Sequence, residues 1–146
     1  MAYNISTRDG RYITVPVKAE TAILAGALVA LNADGMAVPA SDAANLKVIG
    51  RAENDVLGGA ADGDVSLTVL RGVFKYDNSA ASAVTAANLA TPVYVADAHT
   101  VAAESVNGIF AGVALEIDAD GGVWVDTTLA PLCRAPEEAA APEGGV

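Results

Sequence analysis

The residue types in this chain that could do chemistry are few and scattered. Asp118-Ala119-Asp120-Gly121 has the opening of a calcium loop, where alternate carboxylates and a glycine bend backbone around a cation. The third ligand position and the distant glutamate of that motif are missing, and a hairpin turn accounts for the same four residues. Asp62-Gly63-Asp64, with Glu53 and Asp55 upstream, could gather carboxylates around a cation. Asp62, Asp64 and His99 together would be the raw material of a metal-assisted hydrolase, but Gly/Asp clusters are also the ordinary substance of solvated turns. His99 is the sole histidine and Cys133 the sole cysteine, so no internal disulfide can form and neither residue has a visible partner as ligand, base or nucleophile. No glycine-rich phosphate loop runs from a strand into a helix, and there is no Gly-x-Ser-x-Gly elbow. The expectation is a non-enzyme with no catalytic residue, cofactor or metal. Trp124 and Tyr94 suggest another kind of site, ring faces that stack on a sugar in a small β-barrel carbohydrate- or surface-binding module, with core packing as the competing use of a lone tryptophan.

The composition narrows the partners. Eight basic against eighteen acidic residues give a formal net charge of −10, so a nucleic-acid backbone is repelled and no nucleic acid is expected as partner. No apolar run approaches the roughly 18 residues needed to cross a bilayer as a helix, and the N-terminus lacks the pattern of a cleaved signal, so no membrane partner is expected either. A lone thiol suits a reducing cytosol. The 146 residues suffice for one real core, and the hydrophobic 53% is mostly Ala and Val with only 5% aromatic, which predicts closely spaced backbones packed with small side chains.

The elements that must position any site are strands. Tyr12 to Val17 alternates with Ile13, Val15 and Val17 on one face, and Pro16, which lacks an amide hydrogen, argues for a sheet edge. Residues 25–31, the Asp34-Gly35 turn and residues 36–38 read as strand, turn, strand; residues 46–52, 65–69 and 72–76 follow as further strands, with Gly72 as a possible bulge. Residues 78–89 are rich in Ser and Ala without alternation and predict one short helix, with Pro92 as its far limit. Residues 93–95, 100–102, 109–117 and 123–125 are four more strands, the last pair joined at Asp118 to Gly121. This divides the chain into an N-terminal arm (1–11), a β domain (12–132) and an Ala/Pro/Glu-rich tail (133–146), the last expected to be mobile unless a neighbour holds it.

The strands repeat. Leu28-Val29-Ala30-Leu31, a Gly/Asp turn, a short strand, a loop and Val48-Ile49-Gly50-Arg51-Ala52-Glu53 are matched by Val93-Tyr94-Val95-Ala96, Asp97, a short strand, a loop and Phe110-Ala111-Gly112-Val113-Ala114-Leu115-Glu116. The expected fold is mostly β: a small β-barrel or sandwich of two similar halves covering each other's apolar faces, with one short helix.

The order of segments resembles a known family. Ala25-Gly26-Ala27-Leu28-Val29-Ala30-Leu31, Ile49-Gly50-Arg51-Ala52, Gly72-Val73-Phe74, Thr91-Pro92-Val93-Tyr94-Val95, Ala111-Gly112-Val113-Ala114-Leu115 and Gly122-Val123-Trp124-Val125-Asp126 are similar, over residues 12 to 128, to the head-decoration or capsid cement proteins of tailed phages. The resemblance implies a β-barrel-like domain that assembles, commonly as a trimer, on the outside of a head built from the major capsid protein. It would then be made in the host bacterial cytoplasm and reside on the virion surface. It implies no catalytic residues. Within that reading the arm offers the capsid contact, with Tyr3 and Ile5 as apolar anchors, Asn4 between them and Arg8 as a cation, laid along a capsid strand.

Overall fold

The computed structural model describes residues 2–128; Met1, residues 129–132 and the expected tail with Cys133 lie outside them. The fold is mostly β. Its strands are β1 (Tyr12–Pro16), β2 (Ala22–Ile23), β3 (Leu28–Leu31), β4 (Ala37–Pro39), β5 (Lys47–Ala52), β6 (Val56–Leu57), β7 (Ser66–Leu70), β8 (Val73–Asn78), β9 (Pro92–Asp97), β10 (Thr100–Ala102), β11 (Phe110–Ile117) and β12 (Val123–Asp126). The first half forms a five-stranded sheet in the order β1-β7-β5-β3-β4, and the second a closed barrel in the order β8-β12-β11-β9-β10, sealed by a parallel β10–β8 pair. Strand for strand the two orders are the same, so the repeat read in the sequence is a repeat in space. β2 and β6 pair only with each other and have no counterpart in the second half.

The register fixes which residues correspond. β1 opposite β7 sets Ile13 against Val69, and β8 opposite β12 sets Phe74 against Val125. Val17 bridges Ala37 in the first half as Asn78 pairs with Val101 in the second. Each half therefore buries the same inward positions: Val15, Val29, Ala37, Ala52, Leu67 and Val69 in one, and Tyr76, Val93, Val101, Ala114, Val123 and Val125 in the other. Instead of two open halves sharing one interior, each half curls around its own. The curl comes from a bulge at the same place in both, where Gly50 faces Val29 and Gly112 faces Val93. Both glycines have positive φ (149° and 150°), and a Cβ on Gly50 would lie 2.5 Å from the Leu70 carbonyl oxygen, as one on Gly112 would press on that of Asp126.

The halves still meet. Leu28, Ala30 and Val48 belong to the second half's buried cluster, and the Leu28 N–H donates to the Ala98 carbonyl at 2.8 Å. Arg51 lies over the Phe74 ring at 4.5 Å, and Asp42 accepts the Val106 and Asn107 N–H groups at 3.0 and 2.9 Å. The helix expected over residues 78–89 is a single 3-10 turn, Ala86–Asn88. Propensity is overridden here because the Asn78 side chain grips both backbone groups of Val84, at 2.7 and 2.9 Å, and holds that valine in the core. Pro92 opens β9, and no register shift occurs at Gly72.

Candidate interaction surface

The arm precedes the edge strand β1. Residues 2–9 carry no secondary structure and are exposed, Asn4 and Arg8 among them, with Tyr3 86% and Ile5 77% accessible. At its base, Asp9 accepts the Arg11 N–H at 3.0 Å and its Nε at 3.2 Å, and these hydrogen bonds hold the Asp9 carboxyl below the usual carboxylate range. Arg71, in the junction between the halves, donates its backbone N–H to the Arg11 carbonyl at 2.7 Å. Its guanidinium reaches the carbonyls of Gly10 at 3.4 Å and Thr128 at 3.2 Å. The exit of the arm and the end of the described chain are therefore held at one place by one side chain. In the second half the buried Thr127 sits where Arg71 does and bonds Gly72 in the same way, through N–H and hydroxyl. Arg71 carried no signal as a lone basic residue between two strands; the repeat alone could have paired it with Thr127.

The remaining sequence candidates are dispersed. Asp62 caps the Ala19 N–H at 2.8 Å, Asp64 caps that of Ala61 at 3.0 Å, Asp55 that of Ala25 at 2.7 Å, and Glu53 pairs with Arg51 at 2.7 Å. His99 faces Asp77 at 3.0 Å and Asp97 at 3.4 Å, on the seam of the closed barrel, and not beside Asp62 or Asp64. Among the described residues no group of three or more His, Cys, Asp or Glu side chains is arranged to hold a metal ion. Asp118 to Gly121 is a hairpin turn, with Gly121 N–H bonded to the Asp118 carbonyl, and its carboxylates grip Lys75 at 3.0 and 2.7 Å. That ammonium is the first cause of the lowered Asp120 carboxyl, and the Asp120 carboxylate is likewise the first cause of the raised Lys75 pKa.

Trp124 and Tyr94 do not form one platform. Trp124 lies between Lys75 and Glu116, whereas Tyr94 pairs with Phe110. Residues 110 and 116 are separated by about 20 Å of extended strand. Tyr94 stacks on Phe110 instead, with ring centroids 5.0 Å apart at 30°. Exposed aliphatic side chains occur at Leu57 of β6 and at Leu24, the residue after β2. No family model matches the chain, and neither a curated protein nor a solved structure matches it.

Proposed function

We propose that this protein is a decoration, or cement, subunit that binds the outside of a tailed-phage head and stabilises contacts between major capsid protein subunits. The observation that carries the reading is the arm: a stretch of exposed backbone bearing Tyr3 and Ile5, anchored at its root by Arg71 and otherwise unpaired with the described body of the protein. Such a segment suits strand addition, in which main-chain hydrogen bonds supply affinity and alternate side chains supply register. The order of segments that resembles the cement family supports the same reading, as does a body of one curled sheet and one closed barrel able to act as a clamp by shape.

The task would be mechanical. Packaged DNA pushes outward, and subunits held across capsomer seams raise the barrier to separation. Each arm need bind only modestly, because a trimer that engages several capsid subunits gains a factor of about 10² to 10⁴ in avidity. The test is deletion of residues 2–9, followed by measurement of occupancy on heads stripped of the protein. Occupancy should collapse while the thermal transition of the purified subunit stays in place. Undiminished occupancy would remove the arm from the contact.

A further inference from the structure

The repeat exposes an unequal pair of faces. On the outer side of the first half, Leu28 and Ala30 of β3 and Val48 of β5 are 0%, 0% and 1% accessible, because the second half covers them. The register places Pro92, Tyr94 and Phe110 at the equivalent positions of β9 and β11. Nothing in the chain's described residues covers that second face to the same degree: Pro92 is exposed, and Tyr94 and Phe110 are half-buried. Tyr94 and Phe110 are larger than Ala30 and Val48, whose places they take, and their stacked rings stand where the covered face has small side chains.

We propose that this face receives the first half of a second copy of the chain, so that the contact between halves within one molecule is repeated between molecules. The occupant follows from continuity: the same strands on the first half are already covered by the next repeat along the chain, and a second copy begins with a repeat of the same strand order. The contact is head-to-tail, which closes into a ring when the rotation permits. One detail differs. Leu28 donates its N–H across the internal contact, whereas Pro92 has none to donate, so the aromatic pair carries this contact through buried area without leaving an amide hydrogen unpaired. The inference rests on the homo-oligomer in the proposed function but needs no capsid, so the two fail separately.

The experiment is sedimentation of the full chain without heads, comparing it with Tyr94→Glu/Phe110→Glu and with Leu24→Glu/Leu57→Glu. The unaltered chain should sediment as a discrete oligomer. The aromatic double variant should weaken association by about a hundredfold or more, as expected when two central aromatic anchors are lost, with its strand circular dichroism retained. The leucine double variant, altered on another exposed apolar surface, should associate as the parent does. Should the aromatic double variant lose its fold, Tyr94→Lys alone is read in the same way. A parent chain that stays monomeric at about 100 µM, where micromolar contacts are populated, overturns the proposal. So does a folded aromatic variant that associates undiminished, or equal weakening by the leucine variant.

Discussion

The two halves run corresponding strands in one lateral order, yet only the second closes. In the second half the Asp77 N–H donates to the His99 carbonyl at 2.9 Å and the Ser79 N–H to that of Val101 at 2.9 Å, which seals β8 against β10. In the first half the counterpart of the latter bond survives, Lys18 N–H to the Ala37 carbonyl at 3.1 Å, and leaves an isolated bridge at Val17. The counterpart of Asp77 is Pro16, which has no hydrogen to give. One imino acid thus separates a barrel from a curled sheet with an edge, and that edge leads directly into the arm. Openness lies where the arm leaves.

If the bulge glycines curl both halves, the closed one should tolerate their loss least. Gly112→Ala is expected to destabilise by about 3 kcal/mol or more, because the new methyl meets the Asp126 carbonyl inside a ring that cannot widen. Gly50→Ala meets the Leu70 carbonyl but in a sheet with room to relax, and should cost about 2 kcal/mol. Urea unfolding of both variants checks this. Equal losses would mean that closure contributes nothing to rigidity.

The seam itself can be opened or completed. Asp77→Pro should cost about 1–2 kcal/mol through the lost bond to His99. The first half shows that the backbone accepts proline in this register. Pro16→Thr supplies the missing donor, and its stability should change by less than about 1 kcal/mol, since the gained bond is offset by a looser unfolded chain. Hydrogen exchange gives the sharper reading: an amide at position 16 that is protected would show the first half closing, and one that exchanges freely would assign its openness to something besides Pro16.

Much of this architecture was legible in the sequence because it is periodic. Alternation located β1 and β7, the Asp-Gly and Asp-x-Asp-Gly turns located two hairpins, and Gly50 and Gly112 already stood at the same place in two similar segments. What stayed hidden depends on contacts made far along the chain. The β2–β6 ribbon is only two residues per strand, too short for any period. Residues 78–89 have helical composition, but Asn78, a polar residue at the position where Val17 sits in the first half, bonds both backbone groups of Val84 six residues on, a local grip that composition does not report. The curling of each half on itself was illegible too, since it rests on curvature at the bulges and alternation reports only which face is buried. The exposed arm was read from polarity, while the Arg71 clamp at its root joins residues 61 and 57 positions away and leaves no local pattern.

A smaller difference lies inside the two interiors, where Tyr76 occupies the place of Val15. Its hydroxyl is buried without a partner among the described residues, and burial pushes its ionisation well above the usual phenol range. Tyr76→Phe should therefore be neutral or stabilising by up to about 1 kcal/mol. The pH dependence has a definite sign. Above about pH 10 the unfolded phenol loses its proton while the folded one keeps it, so the parent loses stability as pH rises and Tyr76→Phe lacks that contribution. Urea midpoints of the two proteins should diverge in alkali; parallel curves would mean that this hydroxyl reaches water.

A difference of similar size lies at the entry to β3 and to its counterpart β9. Gly26 donates its N–H to the Ala52 carbonyl at 2.9 Å with φ 89°, and Ala90 donates to the Ala114 carbonyl at 2.8 Å with φ 63°. The two halves ask for one backbone conformation, but only the first supplies the residue that adopts it without steric cost. Gly26→Ala should destabilise by about 1 kcal/mol although a Cβ there meets nothing within 4 Å, so the loss isolates backbone strain from packing. Ala90→Gly removes the same strain and adds freedom to the unfolded chain, leaving a net gain of at most about 0.5 kcal/mol. Thermal denaturation of the pair measures both signs, and a gain on adding the methyl at position 26 would show that the two turns are not equivalent.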